Sequence, residues 1–225
     1  VMKGTLNSVN RNEVLKYLGY KGGATDEKTI NDIQRISEDV IKTAQPAVTY
    51  MVFDIEDNFC FSGTNFIPGG NDIKKMLEGC KKAVLMAATL GMEIEKKLRA
   101  IQITDMYSAL IFDCCASSAI ENVCDNFQNE LEEKVNKQGL FLTDRFSPGY
   151  GDMPFEQQKD ICTMLRTEKN IGVSLSSGGI MIPRKTVTAV MGISDKPKEK
   201  RFRGCESCSM FENCEYRKGD KSCGR

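Results

Sequence analysis

Two stretches of this 225-residue chain carry side chains suited to chemistry. Residues 145–154 read RFSPGYGDMP, which sets Arg145 just before Ser147, Pro148, Gly149 and Tyr150 and bends again through Gly151 to Pro154. Proline presets the φ of a turn's second residue, and glycine takes the positive φ that follows. Glycine also leaves the main chain open to a ligand, while arginine offers a planar fork of donors matched to a carboxylate. The stretch reads either as a surface turn or as a small-molecule clamp. The second stretch is C-x2-C-x5-C-x8-C, formed by Cys205, Cys208, Cys214 and Cys223. Neighbouring lysines and arginines favour the thiolate form, and four thiolates suit tetrahedral zinc or an iron–sulfur cluster. Paired disulfides or free thiols are the alternatives, and a cytosolic setting disfavours disulfides.

Other chemistries are excluded by composition. The chain has no histidine, which removes Ser-His and Cys-His pairs and every histidine-bearing metal site. Basic and acidic residues balance at 31 each, so nothing argues for an electrostatic grip on nucleic acid or on an anionic membrane. The longest apolar stretches, such as AVLMAATLGM at 83–92, fall short of a membrane span, and the N-terminal residues lack the pattern of a secretory signal. The expectation is a soluble, cytoplasmic protein. Cys60, Cys80, Cys114, Cys115, Cys124 and Cys162 sit in apolar or helical contexts and read as small buried hydrophobes.

The elements that must position these residues follow from periodicity. Asn10 and Glu13 have capping-box spacing ahead of Val14, Leu15 and Leu18, predicting a short helix that ends at Gly19. Thr25 is placed to cap a second helix with an Ile30, Ile33, Val40 and Ile41 stripe, stopped by Pro46. A strand is predicted at 47–55, a helix at 72–80, a strand at 82–91 and a helix at 92–102. Thr104 is placed to cap the longest helix, to about residue 137, with Ala109, Phe112, Ala116, Ala119, Ile120, Val123, Phe127 and Leu131 on its core face. Pro154 starts a helix running to Lys169, and strand-like segments finish at 178–183 and 185–193. This order predicts an α+β fold: a mixed or antiparallel twisted sheet packed with helices, one of them long and central. Residues 1–195 form the main domain. Residues 196–225 hold nine basic and five acidic residues, a net +4 against −4 for the rest, and form a small Cys-rich appendage that needs a cross-link or metal to fold.

RNEVLKYLGY, AATLGMEIEK, SSAIENVCD, RFSPGYGDMP and SSGGIMIPRKTVTAVMGI together make the chain resemble the reactivation domain of cobalamin-dependent methionine synthase, over about residues 8–194. The most specific motif is the Arg-x-Ser/Ala-Pro-Gly-Tyr loop. The resemblance implies S-adenosylmethionine as ligand, with Arg145 on the methionine carboxylate, the backbone of Ser147, Gly149 and Tyr150 beside the adenosyl group, and Glu121 facing the ligand's amino group. It implies cobalamin on a partner, either a methionine synthase or another corrinoid methyltransferase, and an electron donor such as flavodoxin or ferredoxin. The chain departs from the pattern at Val190 and Met191, which stand where the family carries an aromatic pair, around Gly139, where it carries an acid, and in its N-terminal region, which lacks the aspartate-bearing segment of the fused enzymes. The cysteine module is also foreign to the fused domains. A rival reading makes the chain an iron–sulfur or zinc adaptor.

Overall fold

The computed structural model describes residues 1–20 and 25–198. In chain order the elements are β1 (Met2–Lys3), α1 (Arg11–Tyr17), α2 (Glu27–Thr43), β2 (Ala47–Asp54), α3 (Asn71–Leu77), β3 (Cys80–Thr89), α4 (Met92–Thr104), α5 (Met106–Asn136), β4 (Phe141–Leu142), α6 (Gln157–Met164), α7 (Thr167–Ile171), β5 (Ser174–Leu175), β6 (Met181–Ile182) and β7 (Thr186–Ser194). The main sheet runs β1-β2-β3-β7-β4, antiparallel at β1/β2 and β4/β7, while β5 and β6 pair separately. The fold is α+β. Its two longest strands, β3 and β7, are apolar and buried almost end to end, as strands covered on both faces must be.

The chain divides into two compact units: Val1–Met51 with Leu85–Leu131 and Gln158–Ala189, and Val52–Val84 with Glu132–Gln157 and the residues from Val190 on. In the first, every residue of the predicted core stripe of α5 is buried, and Ile111, Cys114, Cys115 and Cys124 extend burial around the helix. A side chain as enclosed as Phe112 contributes about 1.5–3 kcal/mol by leaving water. Ser118 of α5 anchors the N-terminal segment, its hydroxyl accepting from Asn10 N (2.9 Å) and donating to Glu13 Oε2 (2.9 Å). Asn10 also caps α1 as expected, accepting from Asn12 N and Glu13 N.

Two caps fall one residue later than the sequence suggests. Asp26, not Thr25, caps α2: it accepts from the Thr29 hydroxyl (2.7 Å) and from Thr29 N (2.9 Å), which in that order hold its carboxyl below the usual range. The register is set by burial of Ile33, Ile36 and Val40, whereas Ile30 and Ile41 are only half-buried. Thr104 ends α4, its hydroxyl donating to Ile101 O (3.3 Å), and Asp105 accepts from Ser108 N (3.0 Å) to open α5. The predicted helix at 154–169 is two helices. Arg166 takes a left-handed φ of 47° between them, and Asn170 Nδ2 donates to the Leu165 carbonyl (2.8 Å) that the break frees. Cys205, Cys208, Cys214 and Cys223, with all but the first three residues of the expected 196–225 module, lie outside the described residues.

Candidate functional site

The 145–154 loop belongs to the second unit and begins from a buried anchor. Phe146, 2% exposed, exchanges both main-chain hydrogen bonds with Val190 of β7, at 2.9 and 2.8 Å. Arg145 before it and Ser147 and Pro148 after it are half-buried. Tyr150 N then donates to Ser147 O (3.0 Å) around Pro148 and Gly149, and the φ of +84° at Gly149 makes this a type II turn. A side chain at Gly149 would meet only Phe155, at 3.4 Å, so the exposed main chain here is open to a ligand. Tyr150 stands edge-on to Phe146, ring centroids 6.1 Å apart, and stays half exposed. Arg145, Ser147, Gly149 and Tyr150 are thus gathered on one stiffened loop.

The second bend serves the scaffold. Gly149 N donates to Met153 O and Met153 N to Tyr150 O, both at 3.0 Å, which carries Asp152 to the start of α3. The Asp152 carboxylate accepts from Asn71 N (2.6 Å) and Asp72 N (3.0 Å), capping a helix whose own N-cap residue, Gly70, has no side chain to do so. Gly70 is required: at φ +97° a Cβ would lie 2.8 Å from the Asp152 carbonyl oxygen. Gln157 closes the clasp, accepting from Gly69 N (2.7 Å) and donating to Ile67 O (2.8 Å). None of these partners is legible in advance, because the groups lie some eighty residues apart in the chain; only the Pro-Gly-Gly-Asn run at 68–71 signals a turn needing a cap.

The amides of Asn71, then of Asp72, hold the Asp152 carboxyl below the usual aspartate range. A group with a depressed folded value stabilises above its unfolded pKa and ceases to as pH falls through the folded one. Hydrogen-exchange protection at Asn71 and Asp72 is therefore expected to drop on acidification below the ordinary aspartate range. Protection that persists there would show that the cap contributes nothing.

Glu121 stands half-buried on α5, in the first unit. It continues the i, i+4 row of Asp113 and Ser117, both of which bind the Lys185 ammonium, at 2.9 and 2.8 Å. Two buried acids escaped the sequence reading. Asp144, 9% exposed, immediately precedes Arg145. Glu95, 5% exposed, accepts from Arg184 N (2.7 Å) and Nε (3.2 Å) and so pins the turn before β7. Val190 and Met191 are fully buried in β7.

The six described cysteines are buried thiols, as expected. Burial pushes the Cys115 thiol up to about 11 and raises Cys80, Cys114 and Cys162 as well, making them poor ligands and nucleophiles. Among the described residues no group of His, Cys, Asp and Glu is placed to hold a metal, and no helix is long and apolar enough to cross a membrane.

No family model and no curated protein matches the chain. Among solved structures, the crystal structure of the MetH reactivation domain bound to AdoHcy matches with a TM-score of 0.54 at 14% identity, over 86% of this chain and 79% of that one. The chain has the reactivation-domain fold. In this chain that fold sets the 145–154 loop against β7 through the Phe146–Val190 pair and frames it with the cap of α3. Sharing 14% of residues, the two chains have in common an architecture that quite different side chains sustain.

Proposed function

We propose that this chain binds S-adenosylmethionine and supports the reductive methylation of oxidised cobalamin on a cobalamin-dependent methionine synthase. One observation carries the reading: a half-buried arginine next to an open type II turn, in a chain whose fold is that of a domain bound to AdoHcy. The ligand is a zwitterion bearing a sulfonium. Arg145 binds its carboxylate through a bidentate, charge-assisted pair. The main chain of Ser147, Gly149 and Tyr150, exposed at the last two, receives the adenosyl group. S-adenosylmethionine supplies the methyl group, and a flavodoxin or ferredoxin in the cytoplasm supplies the electron, that together restore methylcobalamin. The residues of this chain act by position, holding the sulfonium methyl toward the cobalt and excluding water.

The reading is tested by incubating cob(II)alamin-loaded methionine synthase with reductant and methyl-labelled S-adenosylmethionine. Label is expected on the cobalamin only when this protein is added; equal labelling without it overturns the proposal.

The main domain, 1–195, carries this site, and the 196–225 module holds a metal on Cys205, Cys208, Cys214 and Cys223. Its basic surroundings favour the thiolates that bind metal. Anaerobically purified protein is expected to contain stoichiometric zinc, or iron with sulfide and a visible absorption band. Protein free of all three, with the cysteines reactive to thiol reagents, would refute metal binding. Iron and sulfide would let the module deliver the electron itself, since cluster potentials reach down to about −700 mV.

A further inference from the structure

A cavity of ≈ 310 Å³ in the second unit is lined by Phe59, Asn71, Lys74, Lys75 and Glu78. That volume lies at the lower end of the roughly 300–1,000 Å³ typical of small-ligand sites. Phe59 is its most unusual wall. It closes a tight hairpin in which Ile55 pairs with Phe61, Phe59 N donates to Glu56 O (2.8 Å) and Glu56 N to Cys60 O (2.9 Å). At φ +66° Phe59 occupies the left-handed position of the turn, which in hairpins of this kind belongs to glycine. A bulky residue is strained there, and strain of this kind persists where a side chain is needed in place.

The rest of the lining comes from α3 and the residue that follows it, Glu78. Lys74 is half-buried and Lys75 exposed, and among the described residues neither lies within ion-pair distance of a carboxylate. The cavity therefore offers an aromatic ring, two ammonium groups, an amide that donates and accepts, and one carboxylate acceptor. A flat aromatic ligand bearing a phosphate and hydroxyl or amino donors satisfies all of them at once. We infer that this cavity binds a nucleoside monophosphate, its base stacked on Phe59, its phosphate held by Lys74 and Lys75, and its sugar hydroxyls or base edge donating to Glu78. The site uses none of the residues assigned to S-adenosylmethionine, so it stands or falls independently of that reading.

The test is an amide-resolved NMR titration of the whole chain with AMP, with adenosine as the phosphate-free control. Shifts are expected at Phe59, Lys74 and Lys75, at millimolar AMP or below. Adenosine and the double variant Lys74→Ala, Lys75→Ala should each bind about tenfold more weakly or worse. Phe59→Gly should weaken AMP binding comparably while raising the melting temperature, because glycine relieves the left-handed strain. Arg145→Ala should leave AMP affinity unchanged within about twofold. Absence of AMP binding, equal binding of adenosine, full affinity in Phe59→Gly, or loss of affinity in Arg145→Ala would each overturn the inference.

Discussion

Gly149→Val is expected to abolish S-adenosylmethionine binding in a protein that still melts cooperatively. At φ +84° the left-handed side of the type II turn is open to glycine and closed to a β-branched residue. Space is not the obstacle, since a Cβ would meet Phe155 at an ordinary 3.4 Å. The backbone is. Valine forces the turn into another conformation, withdraws the Ser147–Tyr150 main chain from the adenosyl group and sacrifices the Tyr150 N to Ser147 O bond. Strain and a lost hydrogen bond together amount to about 1.5–4.5 kcal/mol of stability, which a domain of this size tolerates. The Phe146–Val190 pairing lies outside the turn and persists. Gly149→Ala should be intermediate, because it carries the same φ penalty without the second branch. Equilibrium titration alongside a thermal melt measures both quantities, and normal binding by the valine protein would reduce the loop to a simple turn.

Arg145→Lys should cost nearly as much affinity as Arg145→Ala. Both side chains are cationic, so a role in general electrostatics would survive the exchange. A bidentate role would not, because the ammonium is a point charge on a flexible stem and lacks the planar fork. Losing a charge-assisted contact of this kind costs about 1.5–3 kcal/mol, or roughly a 10- to 150-fold rise in Kd. Melting temperatures of the two variants should agree with each other, separating ligand binding from folding. A lysine variant with full affinity would remove the assigned role.

The two bends of the 145–154 loop show why part of the site is legible in the sequence and part is not. Pro148 and Gly149 are adjacent, so local φ preferences alone specify the turn, and the structure forms it. The α5 stripe was equally readable, since helical spacing fixes which of its residues share a face. Asp152, by contrast, spends its carboxylate on amides of Asn71 and Asp72, a partnership that only the folded chain creates. The break at Arg166 was hidden for a related reason. Its left-handed φ is compensated by Asn170 on the next helix, and an arginine carries no turn signal of its own. Asp144 and Glu95 do not stand out in the sequence, because burial, which sets them apart from the chain's other described acids, is invisible in a string of letters. The caps at Asp26 and Asp105 show a smaller version of the same limit: threonine and aspartate both cap helices, and packing of Ile33, Ile36 and Val40 sets the register in the first case.

The most direct test of the S-adenosylmethionine site is calorimetric titration of the intact protein with S-adenosylmethionine, run in parallel on Arg145→Ala. Saturable one-to-one binding by the natural protein, lost in the variant while its melting temperature is unchanged, is the expected result. Heats no greater than dilution for the natural protein would contradict the proposed function, and equal affinity in both proteins would contradict the site.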